Sequence, residues 1–327
     1  MYGRLINHVG LGRAYAFYLA ERGAKVVVND LGGSLQGSGA SHRAADVVVE
    51  AIKSKGGMAI ANYDSVTDGE KIVKCAIDAF GRIDILINNA GILRDKSLTK
   101  MTNEDWDSVM QVHLHGAFSV TKAAWPYFLQ NKYGRIIMTS SAAGLYGNYG
   151  QTNYSAAKLA LYGFGRCLAL EGEKYNIQCN VVAPMAGSRI TETVLPPEVL
   201  ALLNPDHVAP SVSWLCHEEC KENGQVFEIG GGYIGRVVIQ RAEGLSLAST
   251  TIDEDFIGKI DKLNEFRNPQ YPTSIRQVDW IGLAESNTKL LRENPATRKE
   301  TPLKGLIALV TGAGGGLGKS YALLLAH

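Results

Sequence analysis

The chain has 327 residues, 46% hydrophobic and 20% charged, enough apolar material for one large α/β domain or two small ones. Its 33 Lys and Arg nearly balance its 32 Asp and Glu. A net charge of +1 gives no electrostatic case for nucleic acid or a membrane surface as partner. Five cysteines in a long chain fit a reducing compartment better than a disulfide framework.

No apolar run reaches the roughly eighteen residues of a membrane-spanning helix. The opening MYGRLINHVG lacks the apolar centre of a signal peptide. From residue 11 onward, amphipathic helical stretches alternate with short β-branched runs. In chain order the expected helices are 11–22, 42–55, 68–80, 103–131, 153–175 and 206–219. The expected strands are Lys25–Asn29, Met58–Asn62, Ile83–Ile87, Arg135–Thr139, Gln178–Ala183 and Gln225–Glu228. Near-continuous apolar strands suit a parallel sheet covered on both faces, and the alternation predicts βαβ units. Arg22-Gly23 reads as a helix stop and Ser41 as a cap for the second helix.

The fold class expected is therefore α/β, a doubly wound parallel sheet, over residues 1–235. Residues 236–304 are more polar and read as an extension with some helix, about 253–265 and 284–293, running into a linker at Asn294–Leu303. Residues 305–327 then reopen the pattern. Leu306–Val310 reads as a strand, Thr311–Gly318 as a glycine-rich turn, and the rest as a helix. Leu317–Ala326 repeats Leu11–Ala20 at six of ten positions, offset by 306. The expectation is one domain followed by the start of a second copy, with the first copy lacking its own first strand. Such a strand sits mid-sheet, so its loss exposes backbone groups on both neighbours.

A strand, a glycine-rich turn and a helix N-terminus together cradle a dinucleotide pyrophosphate. Gly10 and Gly12 match the last two glycines of the 311–318 version, which strengthens an otherwise weak pair. Leu5 and Ile6 stand where the second copy has Thr311 and Gly312. Asp30 closes the expected strand Lys25–Asn29. A carboxylate there bonds the adenosine ribose and repels a 2′-phosphate, favouring NAD over NADP; the alternative is an Asp that only builds the turn into Leu31-Gly32-Gly33. Asp64 either meets the adenine edge or caps the following helix.

Tyr154 and Lys158, four apart, share one helix face. An ammonium beside a phenol lowers its pKa and lets it take a proton from a hydroxyl. Ser140 and Ser141 close a strand thirteen to fourteen residues earlier, where a hydroxyl can hold the reacting oxygen. Asn88, Asn89, Ala90 and Gly91 close another, with small residues suited to lining a cofactor groove. Cys216-His217-x-x-Cys220 lacks a second ligand pair, so no metal site is expected.

In this order, Gly10-x-Gly12, Asn88–Gly91, Ser141 and Tyr154-x-x-x-Lys158 resemble the short-chain dehydrogenase/reductase family. More narrowly, NDLGG at 29–33, NNAGILRD at 88–95, YGRIIMTSS at 133–141 and YGNYGQTNYSAAK at 146–158 resemble the (3R)-hydroxyacyl-CoA dehydrogenase domains of peroxisomal multifunctional enzymes. Fungal members carry two such domains in tandem, which matches the repeat. The resemblance implies NAD-dependent oxidation of a (3R)-3-hydroxyacyl-CoA to a 3-ketoacyl-CoA, a peroxisomal setting, and a homodimer. It implies Tyr154 as general base, Ser141 orienting the substrate hydroxyl, and Lys158 lowering the Tyr pKa and binding ribose. His113 stands where many members have a relay Asn. The competing expectation is a catalytically impaired fragment that serves only as a folded or dimerising module, motivated by Leu5 and Ile6 in the first glycine turn and by the abrupt end at His327; the peroxisomal setting comes from the resemblance, since the chain ends Leu-Ala-His and not in an S-K-L type signal.

Overall fold

Gly134–Thr139 (β4) is apolar on both faces, and all six of its residues are buried. That is the pattern of a strand sandwiched between helical layers. The computed structural model describes residues 10–186, 196–246, 260–293 and 305–326. The chain divides into two compact units, 1–238 and 239–327.

In the first unit the remaining strands are β1 (Lys25–Asn29), β2 (Met58–Asn62), β3 (Ile85–Asn88), β5 (Ile177–Met185), β6 (Val226–Gly230) and β7 (Tyr233–Val237). The helices are α1 (Leu11–Ala20), α2 (Arg43–Ser54), α3 (Gly69–Phe80), α4 (Asn103–Met110), α5 (Gly116–Asn131), α6 (Ala142–Tyr146), α7 (Thr152–Gly172), α8 (Pro197–Leu202) and α9 (Ala209–Leu215). Among the described residues the sheet is in two pieces. β1 and β2 pair in parallel, while β3, β4, β5, β6 and β7 form a second sheet in that order. All of its pairs are parallel except β6–β7. Residues 1–9, in which a first strand was expected to be missing, lie outside the described residues. β7, an antiparallel partner two residues after β6, was not foreseen.

Alternate residues of the central strands feed two apolar layers. Ile136, Met138, Cys179 and Val181 pack with α3, α5 and α7 through Val73, Val120, Ala124, Phe128, Leu161 and Leu168. Ile137, Val182, Phe227 and Ile229 pack the opposite way, onto Ala14 and Tyr15 of α1 and Val212 and Leu215 of α9. A smaller cluster joins Ala16 and Ala20 of α1 to Val48, Val49 and Ile52 of α2 and to Ala59 of β2.

Local signals account for several boundaries. Thr102 and Asp105 form a reciprocal capping box at the start of α4. Ser41 Oγ accepts from the Arg43 amide at 3.3 Å, although His42 occupies the cap position of α2. The expected helix over 103–131 is interrupted: Gln111–His115 form a π-helical turn between α4 and α5.

The second unit contains a bridge between Arg241 and Gln270, 3-10 turns at Ile260–Asn264 and Ile275–Gln277, and helices α10 (Trp280–Glu293) and α11 (Gly316–Ala326). Most of the helix expected at 253–265 lies outside the described residues, and its described end is the 3-10 turn. The strand expected at Leu306–Val310 is irregular, with Ile307 fully exposed and Leu309 92% exposed. A strand needs a neighbour for its backbone groups, and none is paired with this segment among the described residues.

Candidate active site

The C-terminal ends of β3 and β4, the first turns of α7 and the π-helical turn converge. The ring of Tyr154 lies in the first turn of α7, and Lys158 Nζ is 5.5 Å from its centroid. Lys158 is buried, and its ammonium donates to the Thr139 carbonyl at the end of β4, 2.6 Å away. Burial alone pushes the Lys158 pKa down to about 7, so near neutrality it is divided between its two forms. This alters the expected role. Burial raises the Tyr154 pKa above its ordinary value, Ser141 opposes the rise by hydrogen bonding, and the Asp95 charge adds to it. The expected lowering by a full neighbouring charge is not what dominates at Tyr154.

The two serines divide their duties. Ser140 is buried and donates to the Lys158 carbonyl at 2.7 Å, tying β4 to α7. Ser141 caps α6, accepting from the Ala143 amide at 3.2 Å, and is the serine that meets the Tyr154 hydroxyl.

His113 comes from the π-helical turn, a distortion that often accompanies functional sites. It is 3% exposed and stands edge-on to Tyr154, with ring centroids 5.2 Å apart. Its Nε2 lies 3.0 Å from the Ile92 amide and 2.8 Å from the Ile92 carbonyl, while Nδ1 is buried without a partner. Burial, reinforced by the Lys158 charge, pushes its pKa down to about 3, so the ring is neutral. A Cβ at Gly91 would collide with this ring, so the chain just after β3 needs glycine there. Asn88 donates to Thr121 at 3.0 Å and to the Met138 sulfur at 3.5 Å, bracing β3 against α5 and β4.

Three supports escaped sequence reasoning. Asn153 is wholly buried, and its amide donates to the carbonyls of Arg94 at 3.1 Å and Asp105 at 3.0 Å. Its own oxygen accepts from the Tyr154 amide at 2.7 Å, so it fixes where α7 begins. Gln151 donates to Asp95 at 2.6 Å. Asp105 is held well below the usual carboxylate range by Lys96 and Thr102, with Lys96 2.8 Å away. The Thr102-x-x-Asp105 spacing was readable as a capping box; the reach of Asn153 across 48 and 59 residues was not.

The residues expected to hold a dinucleotide fall at strand ends and at one helix start. Gly10 precedes α1, whose first turn has no side-chain cap among the described residues, so its amides could meet an anion. A Cβ on Gly12 would stand 3.0 Å from the side-chain Nδ2 of Asn89, so α1 approaches the segment after β3 closely there. One oxygen of Asp30 builds the turn foreseen as its alternative role, accepting from the Gly32 amide at 2.7 Å; the other has no protein partner among the described residues. Asp64 accepts from Asn62 at 2.7 Å, and its carbonyl accepts from Asn29 at 2.8 Å. It therefore braces the ends of β1 and β2 and does not cap a helix: Asp68 precedes α3, and Ser119 Oγ takes the Gly69 amide at 3.0 Å. Thr139 Oγ1, beside Lys158, is buried without a partner. Among the described residues, helix amides without a side-chain cap, a half-used ribose-side carboxylate and an orphaned hydroxyl all suit a dinucleotide. Among the described residues no cluster could hold a metal, all five cysteines are free, and no helix is long and apolar enough to cross a membrane.

A doubly wound α/β fold with Ser, Tyr and Lys gathered at its strand ends defines a dehydrogenase of the alcohol–ketone type. The chain belongs to the short chain dehydrogenase family, whose model matches residues 7–194. It is 52% identical over 324 residues to the Neurospora crassa peroxisomal hydratase-dehydrogenase-epimerase, covering 97% of this chain and 36% of that protein. It is 54% identical over 271 residues to mouse peroxisomal multifunctional enzyme type 2, covering 82% of this chain and 37% of that one. The chain thus spans about a third of the length of these relatives. Among solved structures, full-length Drosophila melanogaster peroxisomal multifunctional enzyme type 2 matches with a TM-score of 0.70 at 38% identity, over 87% of this chain and 48% of that one. A Mycobacterium avium short chain dehydrogenase matches with a TM-score of 0.62 at 35% identity, over 91% and 95%.

Proposed function

We propose that the chain oxidises a (3R)-3-hydroxyacyl-CoA to the 3-ketoacyl-CoA with NAD, as part of peroxisomal fatty-acid β-oxidation. The observation that carries the reading is the Ser141–Tyr154–Lys158 group, with Tyr154 partly buried beside Ser141 and Lys158 behind it. Two relatives named for peroxisomal multifunctional or hydratase-dehydrogenase-epimerase activity support the acyl-CoA assignment. NAD, when bound, accepts the hydride from the substrate carbon.

The side chains do the rest. Ser141 holds the substrate hydroxyl in line with Tyr154, and Tyr154 takes its proton. Because burial keeps Tyr154 protonated near neutrality, proton removal quickens as the medium becomes more basic. Lys158, anchored on Thr139, supplies a nearby donor for the ribose and a charge that favours the phenolate when protonated. His113 is neutral and locked to Ile92, so it shapes the wall behind Tyr154 and does not carry charge. Gly10, Gly12, Asp30, Asn88, Ala90, Gly91 and Lys158 are the proposed cofactor contacts. Asp64 joins them by bracing the adenosine end. The free oxygen of Asp30 favours an unphosphorylated ribose.

Ser141→Ala tests the reading. It should lower kcat by about a hundredfold or more while leaving NAD affinity within about twofold, the pattern of a group that acts on the reacting oxygen. An unchanged kcat would overturn the assignment.

A further inference from the structure

The chain between β1 and α2 makes a closed loop. Its ends meet: the Ser41 amide donates to the Leu31 carbonyl at 3.0 Å, and a Cβ at Gly32 would strike the Ser41 carbonyl. Within it the Ser34 amide donates to the Ser38 carbonyl at 2.8 Å, and the two serine hydroxyls are 2.7 Å apart. Gly32, Gly37 and Gly39 have positive φ, which reversals this tight require. Compact loops with joined ends are frequently functional. Residues 31–41 carry no charged side chain, only those of glycine, serine, leucine, glutamine and alanine.

The loop reaches well past its own strand. Its middle touches the segment that follows β3: the Leu93 amide donates to the Leu35 carbonyl at 3.0 Å, and Arg94 Nε donates to the Gln36 carbonyl at 3.0 Å. A Cβ on Gly37 would stand 3.0 Å from Ile92 Cδ1, so the loop lies directly on that side chain. Between the root of the loop and these contacts lies the first turn of α1. That helix packs on β1 through Ala16 and Ala20, and comes up to Asn89 through Gly12. The loop therefore spans the groove where the α1 amides, Asp30 and the segment after β3 come together. Asp30 sits at its root, accepting from the Gly32 amide at 2.7 Å.

Arg94 joins this span to the catalytic wall. Its guanidinium also meets Glu104 at 3.0 Å and Asp105 at 3.8 Å, so its charge is answered by protein carboxylates and is not offered to a phosphate. Its carbonyl accepts from the Asn153 amide, and the Asn153 oxygen accepts from the Tyr154 backbone. We propose that residues 31–41 are a strap across the dinucleotide groove, and that Arg94 is a positioning residue fastening it to the wall that carries Tyr154. Cofactor release then requires the Leu93 and Arg94 bonds to part, so the strap sets the release rate. The inference rests on the dinucleotide reading given above.

NADH release from the full chain tests it, followed by the fluorescence of bound NADH after excess NAD is added. Arg94→Ala removes the fastener, and Gly37→Val loosens the strap from its own side by crowding Ile92. Each variant should release NADH about tenfold or more faster than wild type, with the bound amplitude kept. In wild type, saturating NADH should slow hydrogen exchange of the Leu93 amide by about tenfold or more. A lower amplitude with an unchanged release rate would make Arg94 merely structural and overturn the proposal. An unchanged rate in Gly37→Val, or a Leu93 amide indifferent to NADH, would overturn it as well. Wild type that binds no NADH at all would overturn the dinucleotide reading, and the strap with it.

Discussion

Lys158→Met should flatten the dependence of stability on pH. Lys158 is buried, with its pKa down to about 7 against 10.5 in the unfolded chain. Folding therefore expels a proton, and the unfolded state binds more protons than the folded one from about pH 7 to pH 10.5. The penalty is full below pH 7 and is lost as pH rises toward 10.5. Linkage puts it at about 5 kcal/mol at pH 6 and about 2 kcal/mol at pH 9. Methionine fills most of the same space without the charge. It also leaves the Thr139 carbonyl without its 2.6 Å donor, a cost of about 1–3 kcal/mol at either pH. That cost cancels in the difference between the two pH values. Wild type should gain about 3 kcal/mol more than Lys158→Met between pH 6 and pH 9. Urea unfolding followed by tryptophan fluorescence measures it. Parallel stability profiles for the two proteins would refute the buried, half-charged lysine.

His113 carries the opposite acid-side expectation. Its pKa is pushed down to about 3, so the folded state resists a proton that the unfolded state accepts below about pH 6.5. Wild type should lose about 3 kcal/mol more stability than His113→Asn between pH 7 and pH 4, read by the same urea series. Gly91→Ala drives a methyl into the His113 ring; we expect a lower Tm and reduced turnover, whereas Gly81→Ala at an exposed helix end should leave turnover unchanged. Asp30→Ser keeps an acceptor for the Gly32 amide but removes the charge, so the NAD:NADP preference in kcat/KM should fall by about tenfold or more. An unchanged ratio would leave Asp30 with its turn-building role alone.

Much of the fold was legible because its strands are nearly continuous apolar runs and its helices are amphipathic. β1 and β2 lie where their Val-rich and Ile-Ala runs predict. What escaped was set by distant partners. The π-helical turn exists where His113 reaches the Ile92 backbone, and no local periodicity encodes that reach. Leu306–Val310 has strand propensity but no paired strand among the described residues, and propensity alone does not make a strand. At the site, residue types and spacing brought Ser141, Tyr154 and Lys158 together correctly. The balance of charge did not follow, because a lysine's influence on its neighbour depends on how deeply it is buried.

The most direct measurement is NADH formation by the purified chain from (3R)- and (3S)-3-hydroxyacyl-CoA, beside a Tyr154→Phe control. The account predicts turnover of the (3R) epimer alone, reduced by about a hundredfold to ten-thousandfold in the control. Equal use of both epimers, or turnover that survives loss of the Tyr154 hydroxyl, would contradict it.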